Sequence, residues 1–510
     1  MSCYVIGIGG TGAKCVEALI HLCAAGLMPD RRSSQGEWLG REELYVAFVD
    51  PDTNNGSLDR ARETLGQYAK CGTLKLGETD LFKTQINFVP EHVVWSPFAN
   101  DARPRLDSFF RYNALGDDTE SVRHLFDVLF SREEKETTLE KGFRGHPSIG
   151  AAVLASTLNL GEEQPWRMLR ERIKQDVGAS QDAKIILVGS IFGGTGAAGL
   201  PTIARLIRNE FGKDVARAKI GGVLVLPYFS FDTVTDEGMR ADSENFLLST
   251  QAALKYYHQQ AEAGRQMDLD VFNAVYTVGE AELSRVKTAS LGSKDQRNEQ
   301  HFIEMYAALA ALDFFGGGTG GERYRTVARA SAGRLVWDDL PFTNAEQLKV
   351  KIRQLTRFAF AYLSSYYPML KDIERRGKAF RAPWYINLVE RANVPREKVS
   401  ESGVEDVHEY CESYLLWLAH IVASANNINT ELIDYNAFAE KQSSDDGKTD
   451  VRLREEFDIG KFSNLILPAR GVSEGGLNEL WSRMSGASVT DPNAVGMGRF
   501  FRALYDECGR

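Results

Sequence analysis

Short, largely apolar runs stand at Tyr4–Ile8, Leu44–Val49, Lys184–Val188, Gly222–Leu226 and Phe272–Val278. Continuous apolarity of this length predicts strands buried on both faces. Between the runs, apolar positions recur at helical spacing. Val16, Leu19, Ile20 and Cys23 follow the first run, Ile203, Leu206 and Ile207 follow the third, and a helix is expected around Asn245–Tyr257. Strands alternating with helices across short glycine turns predict an α/β unit, a parallel sheet with helices on both faces. Glu299–Phe314 predicts a long apolar central helix, and Gly316–Gly321 a break after it. Further on come strand candidates at Tyr324–Val327 and Leu335–Trp337, helices at Asn344–Tyr366 and Val404–Ala425, a loop at Ser443–Lys448 and a weakly patterned stretch at 484–498. The expected division is a domain over 1–315, with a polar insertion at about 55–141, and a second, α+β domain over 322–510.

Composition narrows the function classes. The chain has 510 residues, 43% hydrophobic and 25% charged, which excludes a disordered or fibrous protein. A net charge of −10 argues against broad electrostatic binding of nucleic acid. The six cysteines are scattered with no CxxC pair, as expected of reduced thiols in the cytoplasm. The eight histidines show no HExxH spacing, so the identity of any metal ligands is left unknown. No apolar run reaches membrane-spanning length, and no positive region precedes the apolar N-terminal stretch. A GxxxxGK[ST] phosphate loop is absent.

The glycines cluster where strands give way to helices. There, backbone N–H groups without side chains in the way converge on phosphate oxygens, and the helix dipole adds to the attraction. Gly7-x-Gly9-x-x-Gly12 alone suits a dinucleotide-binding unit, with Asp50, 43 positions later, on a ribose. That is the reading of an NAD-dependent enzyme. The chain, however, carries further loops: Asp50-Pro51-Asp52-Thr53-Asn54, then Gly142-Phe143-Arg144-Gly145-His146-Pro147-Ser148-Ile149-Gly150, then Gly193-Gly194-Thr195-Gly196-Ala197-Ala198-Gly199. Several successive loops suit a nucleoside triphosphate better. Gly316–Gly321 imitates the last motif but follows a helix, so its amides would not point into the same crevice.

In content and order, over roughly the first two-thirds of the chain, these motifs resemble the tubulin/FtsZ superfamily, in particular divergent prokaryotic tubulin-like proteins. Gly193–Gly199 is similar to the GGGTGSG signature, with Phe192 at a usually small position and the last glycine displaced by one. The resemblance implies GTP or GDP with Mg²⁺. It implies contacts from Gly9, Gly10, Thr11, Gly12, Lys14, Asp50, Arg144, Gly145, Gly193, Gly194, Thr195 and Gly196. Asn298 and Gln300, at the start of the central helix, would read the guanine, and Glu280 is a further candidate for the same crevice. Helix capping is the other role open to Asn298. Asp338 and Asp339 would enter the next subunit's site and position the attacking water, which makes the chain a GTPase that assembles head to tail into filaments. The rival within the same fold is a nucleotide-gated subunit of a prokaryotic conflict or defence system. It would turn over little and bind a protein partner through 55–141 or the C-terminal domain.

Overall fold

The computed structural model describes residues 2–32, 38–40, 43–99, 104–116, 120–139, 142–143, 145–214, 216–231, 247–255, 271–281, 283–286, 298–317, 322–329, 335–371, 380–392, 394, 399, 403–424, 432–443, 449–466 and 475–510. Strand β1 (Ser2–Ile8) is buried throughout and divides its side chains between two cores, Cys3 and Val5 on one face and Tyr4, Ile6 and Ile8 on the other. Strands β2 (Glu43–Val49), β3 (Gln85–Asn87), β4 (Val94–Trp95), β5 (Ala183–Ser190), β6 (Ala218–Val225), β7 (Ala274–Glu280) and β8 (Tyr324–Arg329) join it. The order is β8-β7-β6-β5-β1-β2-β3, with β4 also on β2, and every pairing is parallel. Ile8 stands opposite Val49 on one side and Gly189 on the other, so β1, β2 and β5 end level.

Helices α1 (Gly9–Ala24), α2 (Gly56–Gly72), α3 (Pro147–Thr157), α4 (Trp166–Gly178), α5 (Gly194–Glu210) and α6 (Phe302–Gly316) cover the sheet. The first, second and sixth lie on one face; α3, α4 and α5 lie on the other. The fold is thus the expected α/β architecture with helices on both faces. Elements beyond the sheet include α7 (Ala345–Ala361), α8 (Val404–Ser424), the antiparallel hairpin β9 (Ala439–Ser443) and β10 (Thr449–Leu453), α9 (Leu477–Gly486) and α10 (Met497–Cys508). Helix α8 lies directly on α1. The His21 ring is 4.7 Å from that of Trp417, and its Nδ1 is 3.0 Å from the Tyr410 hydroxyl. The core on that face therefore continues from the sheet into the C-terminal helices.

Several expectations are corrected. Residues 56–95 pack into the main fold: α2 is capped by Asn55, buries Leu58, Ala61, Leu65 and Tyr68, and is followed by β3 and β4 of the main sheet. Amphipathicity made this segment look polar. The strand at Tyr324–Val327 belongs to that sheet as its edge, paired with β7, and not to a second unit. Trp337–Asp339 is a 3₁₀ turn rather than a strand end. The central helix begins at Phe302, capped by His301 and not by Asn298. The stretch at 484–498 holds the end of α9 and the start of α10. Of the expected 245–257 helix, residues 247–255 are described and helical. Residues 318–321 of the glycine break and 444–448 of the expected loop lie outside the described residues.

Two glycines are fixed by backbone contact. A Cβ on Gly12 would lie 2.5 Å from the Val188 carbonyl oxygen, and one on Gly196 would lie 2.2 Å from that of Ser190. Gly12→Ala and Gly196→Ala should each cost about 1–3 kcal/mol, because strand backbone cannot move aside. Urea unfolding checks this. Gly178→Ala, with open space around it, should hold or raise stability.

Candidate functional site

From β1 the chain steps to β2 on one side, and from β5 to β6 on the other. That reversal leaves a crevice at the carboxyl ends of β1 and β5, the position where open parallel sheets take ligands. Four loops meet there. Gly9, at φ +72°, is in the left-handed region, and a Cβ on it would lie 3.4 Å from Thr195 Cβ across the crevice. A Cβ on Gly10 would lie 3.0 Å from Asn55 Nδ2 of the second loop. One on Gly194 would lie 3.0 Å from the Gly145 amide nitrogen of the third. The cap positions of α1 and α5, Ile8 and Gly193, make no side-chain hydrogen bond to the first turn. Both helices therefore aim uncapped amides and the positive ends of their dipoles into the crevice, which makes it suited to an anion. Gly9, Gly10, Thr11, Gly12, Gly145, Gly193, Gly194, Thr195 and Gly196 are thus brought together, although Gly12 is buried against strand backbone. Arg144 lies outside the described residues.

Asp50 ends β2 and is 3% exposed. Its Oδ1 accepts the Asp52 amide at 3.0 Å, while Oδ2 is buried without a hydrogen-bond partner. Burial pushes the carboxyl pKa up to about 8; the nearby Asp52 charge adds to the rise and the Asp52 amide opposes it. A buried oxygen with nothing bonded to it, at the mouth of an anion-suited crevice, fits a hard cation or a water on that cation.

Behind the first loop lies a buried polar cluster. Lys14 is 4% exposed and pairs with Glu304 of α6, which is 0% exposed; its ammonium also reaches the Glu299 carbonyl at 3.4 Å. The Tyr228 ring lies 5.4 Å from the ammonium, its hydroxyl donates to Glu304 Oε1 at 2.7 Å, and Thr11 hydrogen-bonds the same hydroxyl. Burial and then Glu304 push the Tyr228 pKa well up. His301 Nδ1 accepts the Ile303 amide at 3.2 Å, so Nε2 carries the proton and faces Glu280 Oε2 at 4.0 Å. Burial, then Lys14, holds the imidazole pKa well below its usual value.

The remaining candidates lie apart from the phosphate loops. Gln300 is 2% exposed; its Nε2 donates to Glu17 Oε1 at 3.0 Å, and its Oε1 is 2.5 Å from His420 Nδ1. Its amide is committed between helices. Asn298 is half-buried, and its backbone carbonyl accepts Arg60 Nη1 at 3.2 Å. Asp338 and Asp339 are exposed on the turn before α7. The Asp339 carboxylate caps that turn by accepting the Val336 amide at 3.0 Å. Tyr228, Glu304, Glu17, Arg60 and His420 were not anticipated. Glu304 had a visible signal, an acid three residues after the cap residue, and the capping box it forms with His301 is present.

Fold and loops together define a parallel α/β protein with an anion-suited crevice at its switch point. A family model described as tubulin-like matches residues 4–308, more than half of the chain, and the chain belongs to that family. No curated protein matches it significantly.

The Asp50 carboxyl binds its proton more tightly folded, with a pKa of about 8, than at its ordinary value of 3.8. The stabilisation this gives is complete below the ordinary value and is lost as pH rises through the folded one. Asp50→Asn, which cannot ionise, should therefore gain stability over wild type as pH climbs from about 5 to 9, by up to about 4 kcal/mol. Paired urea titrations across that range measure the difference. A constant offset would show that Asp50 does not titrate in this way.

Proposed function

We propose that the crevice binds a guanine nucleotide, GTP or GDP, with Mg²⁺, and that the chain hydrolyses GTP where two copies meet head to tail in a filament. One observation supports this above all: four loops and two uncapped helix N-termini gather at a single switch point in a chain of the tubulin-like family. The phosphates lie against the amides of Gly9–Gly12 and Gly193–Gly196, with the Thr11 and Thr195 hydroxyls alongside and Gly145 and Arg144 from the third loop. Lys14 acts from behind the first loop, its charge shared with Glu304. Asp50 holds the Mg²⁺, directly or through water. Once bound, the ion neutralises charge on the β- and γ-phosphates. Asn298 offers its amide to the base, and Gln300 sets the position of that segment through Glu17 and His420. Asp338 and Asp339 reach the neighbouring subunit's nucleotide and orient water. Such a contact does not close on itself and grows into open filaments.

A second reading, a nucleotide-gated subunit that binds a protein partner, is favoured by the helix Glu120–Leu129. It leaves Val122, Leu125, Val128 and Leu129 exposed. A dinucleotide enzyme accounts for the first loop but not for the third and fourth.

Denaturing the purified protein and chromatographing the released nucleotide should yield GDP or GTP; NAD there would overturn the reading. Thr195→Val should weaken GTP binding about tenfold or more in calorimetry, because a hydrogen bond to a charged oxygen is lost. Unchanged affinity would remove Thr195 from the phosphate site.

Turnover has its own test. Asp338→Asn with Asp339→Asn keeps an oxygen for the Val336 amide but removes both charges. That protein should bind GTP normally and hydrolyse it slowly, while wild-type specific activity rises with protein concentration. Concentration-independent hydrolysis by a monomer would favour the second reading.

A further inference from the structure

Away from the glycine loops, three segments distant in sequence bring metal-ligating side chains together. Glu299 precedes α6, His420 lies near the end of α8 and Asp450 is on β10. Each offers one ligand atom, and the three atoms lie within 4.8 Å of one another. His420 is buried, whereas the two carboxylates are open to solvent.

Hydrogen bonds on the far side of the imidazole decide what it offers. Arg60 Nε donates to both oxygens of Glu17 at 3.1 Å, and Gln300 Nε2 donates to Glu17 Oε1 at 3.0 Å. With its NH₂ turned to Glu17, Gln300 must present Oε1 to His420 Nδ1, 2.5 Å away. An amide oxygen only accepts, so Nδ1 carries the proton and the lone pair sits on Nε2. An imidazole whose Nδ1–H is held by an acceptor while Nε2 presents its lone pair is in the form that ligates metals.

The charges around the group are mixed. Burial and then Asp450 raise the Glu299 carboxyl pKa, and Lys441, Arg60 and Lys14 pull it back in part. Arg452 Nε donates to Asp450 Oδ2 at 3.1 Å. Two carboxylate oxygens and an imidazole nitrogen still converge within 4.8 Å of one another, the donor set of a transition cation.

We propose that Glu299, His420 and Asp450 bind one divalent transition cation, with Zn²⁺ the best match. One imidazole nitrogen and two carboxylate oxygens suit Zn²⁺ or Mn²⁺, whereas Mg²⁺ and Ca²⁺ prefer oxygen alone. Zinc bonds of about 2.0–2.2 Å place tetrahedral ligand atoms about 3.4 Å apart, so the exposed carboxylates close inward by side-chain rotation and water completes the shell. The ion ties the β9–β10 hairpin and α8 to the entry of α6.

The test uses the full chain, stripped with chelator and titrated with ZnCl₂ in a calorimeter. Every described cysteine is buried, so surface thiols do not compete. Wild type should bind one Zn²⁺, and Co²⁺ in its place should give the visible absorption of a low-coordinate site. Glu299→Gln and Asp450→Asn should each weaken binding about tenfold or more. Both changes are at solvent-open positions, so circular dichroism and gel-filtration profiles should match wild type. Absence of a saturable site in wild type would overturn the proposal. So would unchanged affinity in the Glu299→Gln, Asp450→Asn double variant.

Discussion

The buried pair between Lys14 and Glu304 is the interaction that ties the first glycine loop to the entry of α6. Both charges are almost wholly removed from water. Desolvation on that scale is offset only because the two groups meet each other and because the Tyr228 hydroxyl and the Glu299 carbonyl satisfy what remains. Lys14 is one turn beyond the first glycine loop, and Glu304 is in the first turn of α6, the helix that precedes the edge strand β8. Removing either partner strands a buried charge, a loss of about 3–5 kcal/mol in comparable sites. The first loop and the entry of α6 therefore cannot shift independently.

A second polar chain runs beside it, from Arg60 of α2 through Glu17 of α1 and Gln300 to His420 of α8. Around these chains the packing is apolar and aromatic, with His21, Tyr410, Tyr414 and Trp417 in contact. Each hydrogen bond in a dry interior has direction, and apolar contact has little. The polar chains thus fix how α1, α2, α6 and α8 are set against one another, and the aromatic side chains fill the space between them.

How much was legible in the sequence follows from the same physics. A central parallel strand is buried on both faces, so β1, β2, β5, β6 and β7 stand out as apolar runs. Strand β8 is an edge with one neighbour and carries Arg325 and Thr326, so its membership shows only once β7 is beside it. Helix α2 was missed because just one side of it is apolar, although Asn55 before Gly56 is an ordinary cap signal. The glycine loops were legible because glycines cluster where strands give way to helices, and at Gly12 and Gly196 the strand backbone leaves no room for a Cβ. The polar chains were not: Glu17 and Gln300 are 283 positions apart, and Gln300 and His420 are 120 apart. No local pattern records such a partnership, which is why the Gln300 amide looked available for a base.

The electrostatics of the crevice follow from which charges are already spent. Among the described residues of the four loops the basic side chains are Lys14 and His146. The first is paired with Glu304, and the second lies 3.1 Å from Glu134 Oε1. Amides and helix ends supply fractional positive charge, about half a unit per helix terminus, while Asp50 and Asp52 are buried nearby. A polyanion bound here would meet two carboxyl groups and, among the described residues, little fixed cationic charge to balance them; Arg144 of the third loop lies outside those residues. Asp50 resolves the conflict in one of two ways. Its carboxyl takes up a proton, as burial already favours, or a divalent cation arrives with the anion and takes the place of that proton. Proton and cation compete for one oxygen. In the proposed nucleotide site, anion affinity and divalent-ion dependence would therefore be linked to pH through Asp50, the residue that follows β2.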